Sequence, residues 1–460
     1  MDKAEFISAV AAAGVVGAGG AGFPAAVKLN SSPEWILVNG AECEPLLKVD
    51  QQLAEAEADR LARALEVLTA ALGAKGGVFA IKEKYGRAVE ALRRATAARP
   101  TLSVKTLGNY YPMGDEQVLV YEVLGRIVPE GGLPLACGTV VVNVESLLNM
   151  AAALEGRPVT ETWLTVTGEV KRPATYKVPL GVSISEIIEA SGGALVPDPT
   201  VINGGPMMGR LEEDLSSPVT KATKGLIVLD RRHPRAEAKR RRLSDMLRTA
   251  KAACCHCMFC TELCPRNLLG HRLHPDRLMR LASYGQVGDG PETAFGAFLC
   301  CECGLCEQAC VMGLQPWRLN RELKGQLGPA AAKSFQKRTP TAVNRFRELR
   351  RFPIPRLVQR LGLSAYEGLK APLTPYPGRV ERVRLALKQH LGVPCRPLAA
   401  PGDVVALGQL VAAPPEGALG APVHASLAGV VESVDEKFVV VAARPFPATP
   451  PAAQGGRRQA

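Results

Sequence analysis

The sequence lacks any hydrophobic run long enough to cross a membrane. No stretch of its 460 residues approaches the ~18–20 consecutive apolar residues that a spanning helix needs. The N-terminus has no cationic segment of the kind that opens a secretory signal, because Asp2 and Glu5 outweigh Lys3. These two absences predict a cytoplasmic protein with no transmembrane segment.

Aromatic residues make up only 5% of the chain, and they do not alternate with basic residues as they do in single-strand nucleic-acid binders. The formal net charge is nevertheless +12, with basic residues concentrated at 231–242 and 345–360. Such runs can bind nucleic acid, anionic lipid or an acidic protein, or can form a solvated helix face or linker. The missing aromatic pattern disfavours nucleic acid and favours the solvated face or linker.

Cysteine is abundant but unevenly placed. The chain has 13 cysteines, and ten of them lie between Cys254 and Cys310. Because the chain is long and has no secretory signal, this concentration indicates a metal site and not a disulfide framework. A structural zinc ion is held by four ligands, usually two pairs, in a tetrahedron. Two runs of four evenly spaced cysteines supply more ligands than such a site needs, which disfavours zinc.

The cysteines form two blocks with one spacing, C-x2-C-x2-C-x3-C, which starts at Cys254 in the first block and at Cys300 in the second. In two-cluster ferredoxins the first three thiolates bind one cluster, and the fourth binds the other. The spacing therefore predicts two [4Fe–4S] clusters with exchanged fourth ligands. The first set is Cys254, Cys257, Cys260 and Cys310, and the second is Cys300, Cys303, Cys306 and Cys264.

A glycine-rich run, GVVGAGGAGFP, occupies residues 14–24. Glycine lets backbone N–H groups approach an anion closely, and a following helix N-terminus adds partial positive charge. By itself the run is more consistent with a flexible turn than with a phosphate site. Its interpretation depends on the rest of the chain.

Three later segments read as a strand or turn followed by a polar loop. The first, WILVNGAECEP, ends in Asn39, Glu42 and Glu44; the others carry Asp115 with Glu116 and Asn143 with Glu145. In α/β proteins ligands bind at the carboxyl ends of the strands, so we expect the three loops to converge on one pocket.

The order of GAGGAGFP, NGAECEP, GDEQ and NVES resembles the flavin- and NADH-binding region of the complex I flavoprotein subunit, over about residues 1–155. The resemblance implies that the glycine loop with Lys28 holds the FMN phosphate and that Asn39 and Asn143 meet the flavin. The implied glycines are Gly17, Gly19, Gly20 and Gly22. The implied nicotinamide-side residues are Glu42, Glu44 and Glu116, with Ala18 and Gln117 departing from the family pattern.

The remaining segments extend the resemblance. Residues 156–230 resemble the β-grasp (SLBB-type) module of the same family, and 371–445 a barrel-sandwich hybrid without the Met-Lys pair that would carry biotin or lipoate. The predicted fold class is multidomain α/β and α+β, with a Rossmann-like FMN/NADH-binding domain at 1–155 and a dicluster ferredoxin-like helical domain at 231–335. A basic helical linker at 336–370 and a disordered tail at 446–460 complete the prediction.

This combination of domains is similar to the RnfC component of the Rnf membrane complex and to the cobalamin (corrinoid) reductases of propanediol-utilisation microcompartments. The barrel-sandwich segment follows the clusters here, an order that favours the corrinoid-reductase family. The resemblance implies transfer from NADH through FMN and two clusters to a corrinoid, with an adenosyltransferase and shell proteins as possible partners inside a microcompartment. The alternative is an Rnf-type relay between NADH and ferredoxin or a membrane partner.

Overall fold

The computed structural model describes residues 2–284, 291–334 and 338–443. The prediction for 446–460 lies outside these residues. Among the helices in the described ranges, none is both long and apolar enough to cross a membrane.

The N-terminal unit is a parallel four-stranded sheet with helices packed on both faces. The strand order is β3-β2-β1-β5, and β2 is buried along its whole length, as expected for a central strand. The strands are β1 Trp35–Gly40, β2 Gly76–Lys82, β3 Leu102–Leu107, the separate short β4 Tyr110–Tyr111, and β5 Thr139–Asn143. The helices are α1 Lys3–Ala12, α2 Ala25–Leu29, α3 Val49–Ala56, α4 Ala58–Ala71, α5 Gly86–Thr96, α6 Glu116–Leu124 and α7 Val144–Leu154, with a 3-10 turn at Pro134–Cys137.

The second unit is a mixed sheet covered by one helix, α8 Ile184–Ala190, which a Ser183–Glu186 capping box begins. Its strand order is β12-β7-β6-β10-β8-β9. The strands are β6 Glu161–Gly168, β7 Ala174–Pro179, β8 Pro199–Asn203, β9 Arg210–Glu212 and β10 Gly225–Asp230, and the edge is completed by the distant β12 Leu373–Pro375.

The third unit is helical and carries both cysteine blocks. Its α-helices are α9 Pro234–Arg240, α10 Leu243–Ala253, α11 Phe259–Glu262, α12 Pro265–Leu268, α13 Pro275–Tyr284, α14 Pro291–Phe295, α15 Leu305–Ala309 and α16 Pro316–Ser334. A 3-10 turn, Gly296–Leu299, precedes the second block, and Gly328 interrupts α16 with φ +69°.

The segment after the third unit packs back onto the first. It contains a 3-10 turn at Glu348–Arg350, β11 Phe352–Pro353, α17 Ile354–Arg360 and α18 Ser364–Glu367. Strand β11 pairs antiparallel with β4 of the first unit. The segment thus contains two short α-helices, and the pairing holds it against the first unit.

The sequence favours a solvated face or linker for both basic runs, but the structure buries one arginine in each of them. Arg235 pairs with Glu307 at 2.6 Å, and Arg347 pairs with Glu122. Both guanidinium groups are buried because a carboxylate from another element compensates each charge, and sequence periodicity does not reveal such a partner.

The C-terminal unit contains two small antiparallel sheets. One has the order β13-β19-β18-β15 and the other β14-β16-β17. The strands are β13 Arg382–Ala386, β14 Arg396–Pro397, β15 Val404–Val405, β16 Leu410–Ala413, β17 Val423–His424, β18 Gly429–Val434 and β19 Phe438–Ala443. One hydrophobic core runs from the first unit through the second into this one.

Candidate functional site

Asn39 and Asn143 lie side by side at the carboxyl ends of two neighbouring strands. They are register partners in the parallel pair β1–β5, so the sheet itself brings these two predicted residues together. The Asn39 amide donates to the Gly114 carbonyl at 2.9 Å. Asn143 caps α7 through the Glu145 N–H. The loops after β1 and β5 and the loop before α6 therefore meet at one edge.

The glycine loop lies at the same edge. A Cβ added to Gly19 would lie 3.9 Å from the Asn143 Cβ atom, and the Ala18 N–H donates to the Ser146 hydroxyl of α7 at 2.9 Å. Within the described residues, the N–H groups of Gly19, Gly20 and Ala21 donate to no protein acceptor, and all three residues are exposed. A run of free amides in a glycine turn fits a phosphate group.

Lys28 and Glu116, both predicted site residues, bind each other. The Lys28 ammonium donates to the Glu116 carboxylate at 2.7 Å and to the Val141 carbonyl at 3.0 Å. Both side chains remain partly exposed. Lys28 therefore lies beside β5, where its charge is paired with the Glu116 carboxylate.

Glu42 is fixed by the start of α3. Its carboxylate accepts from the Asp50 N–H at 2.9 Å and from the Gln51 N–H at 3.4 Å. Burial and the nearby Asp50 carboxylate raise the pKa of Glu42 to about 7. Glu42 also has a left-handed backbone, with φ +34°, which turns the chain sharply after β1.

Glu44 reaches the second unit. Its two carboxylate oxygens accept from the Met207 and Met208 N–H groups, each at 2.8 Å. Burial raises the pKa of Glu44 even though these two donors act in the opposite direction. The loop INGGPMMG of the second unit is thereby held against the loop after β1.

A buried ion network behind Asn143 was not predicted from the sequence. The Lys224 ammonium contacts Asp50 at 3.0 Å and Glu145 at 2.5 Å, and the Asn143 amide donates to the other Asp50 oxygen at 2.8 Å. Burial opposes the charged form of Lys224, but the two carboxylates outweigh it and raise its pKa. No motif marks Asp50 or Lys224, because the partners are 174 residues apart.

The two cysteine blocks have the same backbone path. Met258 and Gly304 occupy equivalent positions, and both are N-caps with a left-handed backbone, at φ +66° and +77°. The residues two positions earlier, His256 and Glu302, also have a left-handed backbone, at φ +52° and +59°. The fourth cysteine of each block is extended, with φ −65° and −74°. Equal spacing has produced equal loops.

The structure brings cysteines of the two blocks together. A cleft with about 280 Å³ of empty space is lined by Cys264 of the first block together with Cys300, Cys303 and Cys306 of the second. Burial, Asp276 and the neighbouring Cys310 raise the pKa of Cys260 to about 12, which places Cys310 beside the first block. In the described chain no three His, Cys, Asp or Glu side chains converge on a single metal ion. Cys301 also lines this cleft, so five cysteines surround a space that fits a polynuclear cluster.

Tyr111 and Asp115 join this cleft to the edge of the first unit, and Met207 of the second unit lies close to it. The Tyr111 hydroxyl donates to the Cys303 carbonyl at 2.6 Å. The Arg266 guanidinium donates two hydrogen bonds to the Asp115 carboxylate, at 2.7 and 2.8 Å. A Cβ on Gly304 would lie 3.4 Å from the Met207 methyl. Arg266 was not singled out from the sequence, although its position next to the Cys264-Pro265 pair is a signal that could have found it.

Comparison with known proteins matches four family models in chain order. They are the Nuo51 FMN-binding domain over residues 10–152, the SLBB domain over 164–211, the 4Fe-4S dicluster domain over 253–315 and the RnfC barrel sandwich hybrid domain over 372–446. The predicted multidomain fold is confirmed, as is an oxidoreductase with FMN and 4Fe–4S centres. The individual site residues and the exact domain boundaries stay predictions.

Two curated relatives illustrate the similarity. The cobalamin reductase PduS of Salmonella typhimurium is 45% identical over 95% of this chain and 96% of its own length. The RnfC-type component of the Na(+)-translocating ferredoxin:NAD(+) oxidoreductase complex of Acetobacterium woodii is 33% identical, over 58% of this chain and 59% of its own. An NAD+-reducing [NiFe]-hydrogenase structure aligns with 73% of this chain and 63% of its own at 22% identity and a TM-score of 0.48.

Proposed function

The chain belongs to the cobalamin reductase PduS family, and on that premise we propose that it passes electrons from NADH through FMN and two [4Fe–4S] clusters to a corrinoid. Bound FMN would supply the step between a two-electron donor and one-electron carriers, and the clusters would carry single electrons. The residues of the chain supply binding, orientation and charge.

The observation that carries the proposal is the short connection between the strand edge and the cysteine cleft. Asn39 binds the Gly114 carbonyl, and the next residue, Asp115, holds Arg266, which lines the cleft with Cys264 and Cys301. A redox group at the edge would therefore lie next to the second cysteine set. Electron transfer requires such proximity.

We assign the FMN phosphate to the glycine loop with Lys28, and the flavin to Asn39 and Asn143. The assignment is supported by the free amides of the loop, by the Lys28 ammonium, and by the pairing of the two asparagines. The four assigned glycines are Gly17, Gly19, Gly20 and Gly22.

We assign the nicotinamide side to Glu42, Glu44 and Glu116. Each carboxylate already accepts a hydrogen bond from the protein, which fixes its position, and a carboxylate has further lone pairs for a ribose or amide donor. The proximity of Lys28 to Glu116 would then connect the phosphate and nucleotide sides.

We assign one cluster to Cys300, Cys303, Cys306 and Cys264, which line one cleft, and the other to Cys254, Cys257, Cys260 and Cys310. An adenosyltransferase that traps the reduced corrinoid, and a location inside a microcompartment with contacts to shell proteins, complete the proposal. The PduS name of the relatives supports the corrinoid part.

The alternative is a relay between NADH and ferredoxin or a membrane partner. It is favoured by the match to the RnfC barrel sandwich hybrid domain and by the 33% identity to the Acetobacterium woodii protein.

The test begins with anaerobic purification and quantification of iron, sulfide and flavin. We expect one FMN per chain and about eight iron atoms, bleaching of the flavin by NADH in stopped flow, and faster NADH oxidation with hydroxocobalamin than with ferredoxin. Faster reduction of ferredoxin would favour the relay, and zinc in place of iron or a flavin that NADH does not bleach would overturn the proposal.

A matched pair of variants sharpens the assignment of the clusters. Cys306→Ser should lose roughly half of the iron and the spectrum of one cluster. Cys395→Ser is the control, because Cys395 is also buried but lies in the C-terminal unit, where its thiol donates to the Ala421 carbonyl. It should keep all of its iron.

A further inference from the structure

The two cysteine sets differ in their access to solvent. In the set of the cleft, Cys264, Cys303 and Cys306 are buried and Cys300 is partly exposed. In the other set Cys257 is exposed, and Cys254, Cys260 and Cys310 are partly exposed. The buried set contacts the first unit through Tyr111 and Arg266, so the exposed set lies at the far end of the path.

Exposed apolar side chains surround the exposed set. Met258 and Phe259 follow Cys257, and each is 44% exposed; Val311 and Met312 follow Cys310, at 62% and 46%. Helix α11, which begins at Phe259, contacts helix α15, which ends at Ala309 just before Cys310, so the two pairs lie on neighbouring elements. We call these four residues the apolar patch. Exposed apolar side chains gathered in one region of a protein surface are typical of an interaction site.

Basic side chains lie on the chain segments that lead to the apolar patch. Arg241 donates to the Gly313 carbonyl at 3.0 Å, directly after Met312. Arg248 is 82% exposed on α10, the helix that ends at Cys254, and Lys251 is exposed one turn further along. We call these three residues the cationic rim. The acid on the same helix, Asp245, lies 4.0 Å from Arg248 and offsets only part of this charge.

We infer that the apolar patch and the cationic rim form the docking surface through which electrons leave, and that its occupant is an acidic protein that carries the electron acceptor. This inference rests on the proposed function. An apolar centre with a cationic border fits a partner with an apolar centre and an acidic border, because complementary charge speeds encounter and apolar contact expels water. A free corrinoid is a small molecule and would not need to contact both the apolar patch and the cationic rim.

The electron count fixes the stoichiometry of docking. Each NADH yields NAD+, one proton and two electrons, and each encounter at the surface passes one electron to the acceptor. One NADH therefore reduces two molecules of a one-electron acceptor, which are docked in turn.

The experiment uses the full chain, loaded with its cofactors, and a small acidic bacterial ferredoxin as the probe. The variant Arg248→Glu/Lys251→Glu reverses two charges of the cationic rim. We expect it to weaken ferredoxin binding, measured by calorimetry at about 20 mM salt, by about tenfold or more, and to lower kcat/KM for ferredoxin similarly. Iron content, flavin bleaching by NADH and reduction of free hydroxocobalamin should not change.

The matched control is Arg87→Glu/Arg379→Glu, which reverses two similarly exposed arginines at 87% and 89% exposure on other units. Equal weakening in both variants, or no binding of ferredoxin to the unmodified protein, would overturn the inference. Slower hydroxocobalamin reduction with unchanged ferredoxin binding would assign the surface to free corrinoid and overturn it too. Failure of NADH to bleach the flavin would instead contradict the proposed function. Calorimetry of ferredoxin binding would still test the docking surface in that case.

Discussion

Lys224 connects two units of the protein through a pair of carboxylates that are almost completely buried. Its ammonium belongs to the second unit, whereas Asp50 and Glu145 belong to the first. Burial raises the pKa of Glu145 even though Lys224 acts to lower it. The charged form of the Glu145 carboxylate therefore depends on the Lys224 ammonium. Because Asp50 also holds the Asn143 amide, the same lysine positions a residue of the predicted flavin edge.

Replacing this lysine, Lys224→Met, should destabilise the protein by about 3–5 kcal/mol, because two buried carboxylates lose the cation that pairs with them. The measurement is urea unfolding followed by tryptophan fluorescence and flavin release. The control is Arg87→Met, whose pair with Glu55 is exposed and 3.8 Å long and should cost less than about 1 kcal/mol. Equal midpoints for the two variants would contradict the role of Lys224.

The raised pKa of Glu42 makes stability depend on pH. The carboxyl titrates at about 7 in the folded chain against 4.5 for the ordinary group, so the folded state binds the extra proton between these values. Stability therefore falls as pH rises through this window. Glu42→Gln should remove this slope, and the stability of the variant relative to the parent should rise from pH 4.5 to 7 in urea titrations. A constant difference would contradict the raised pKa.

At the scale of elements, the glycine loop combines an exposed run of amides with one unusual backbone conformation. Gly20 has φ +111°, and a Cβ there would meet no atom within 4 Å. Space is therefore available for a side chain, but the backbone conformation is not one that L-residues readily adopt. Position 20 therefore needs glycine for its backbone conformation and not for lack of room.

Gly20→Ala should strain the loop by about 1–3 kcal/mol and weaken FMN binding, measured by quenching of flavin fluorescence on titration of the apoprotein. The control is Gly73→Ala, at φ +64° with equally open space after α4, which should cost similar stability and leave flavin affinity unchanged. An unchanged affinity in Gly20→Ala would argue against the loop as the phosphate site.

At the scale of the whole molecule, the cysteine unit is fixed to the strand edge by a buried ion pair between Arg266 and Asp115. Asp115 also caps α6, so one carboxylate organises a helix start and a contact between units. The ion pair has two hydrogen bonds and little exposure to solvent. It therefore fixes the distance between the strand edge and the cysteine cleft more firmly than a single hydrogen bond would.

Asp115→Asn should leave the Arg266 charge uncompensated and loosen the contact between the two units. We expect NADH to bleach the flavin at an unchanged rate, with cluster reduction slowed by about tenfold or more, both followed by stopped flow. The control is Glu381→Gln, which removes an exposed partner of Arg379 and should slow neither phase. Unchanged cluster reduction in Asp115→Asn would show that this ion pair does not set the transfer distance.

The sequence by itself determined the local features, because they depend on residues close together in the chain. The two cysteine blocks of equal spacing became loops of equal backbone, and Asn39 and Asn143, each at the end of a β-strand segment, became register partners. Parallel strands place their ends at one edge, so spacing and strand patterns suffice for such predictions.

Only the tertiary structure decided which distant charges meet. Lys224 with Asp50, Arg266 with Asp115 and Arg235 with Glu307 are separated by 72 to 174 residues, and none belongs to a recognisable motif. It also decided that one cysteine set is mostly buried while the other is mostly partly exposed. A buried charge needs a partner in space, and the sequence does not record which neighbours the packing of separate units will provide.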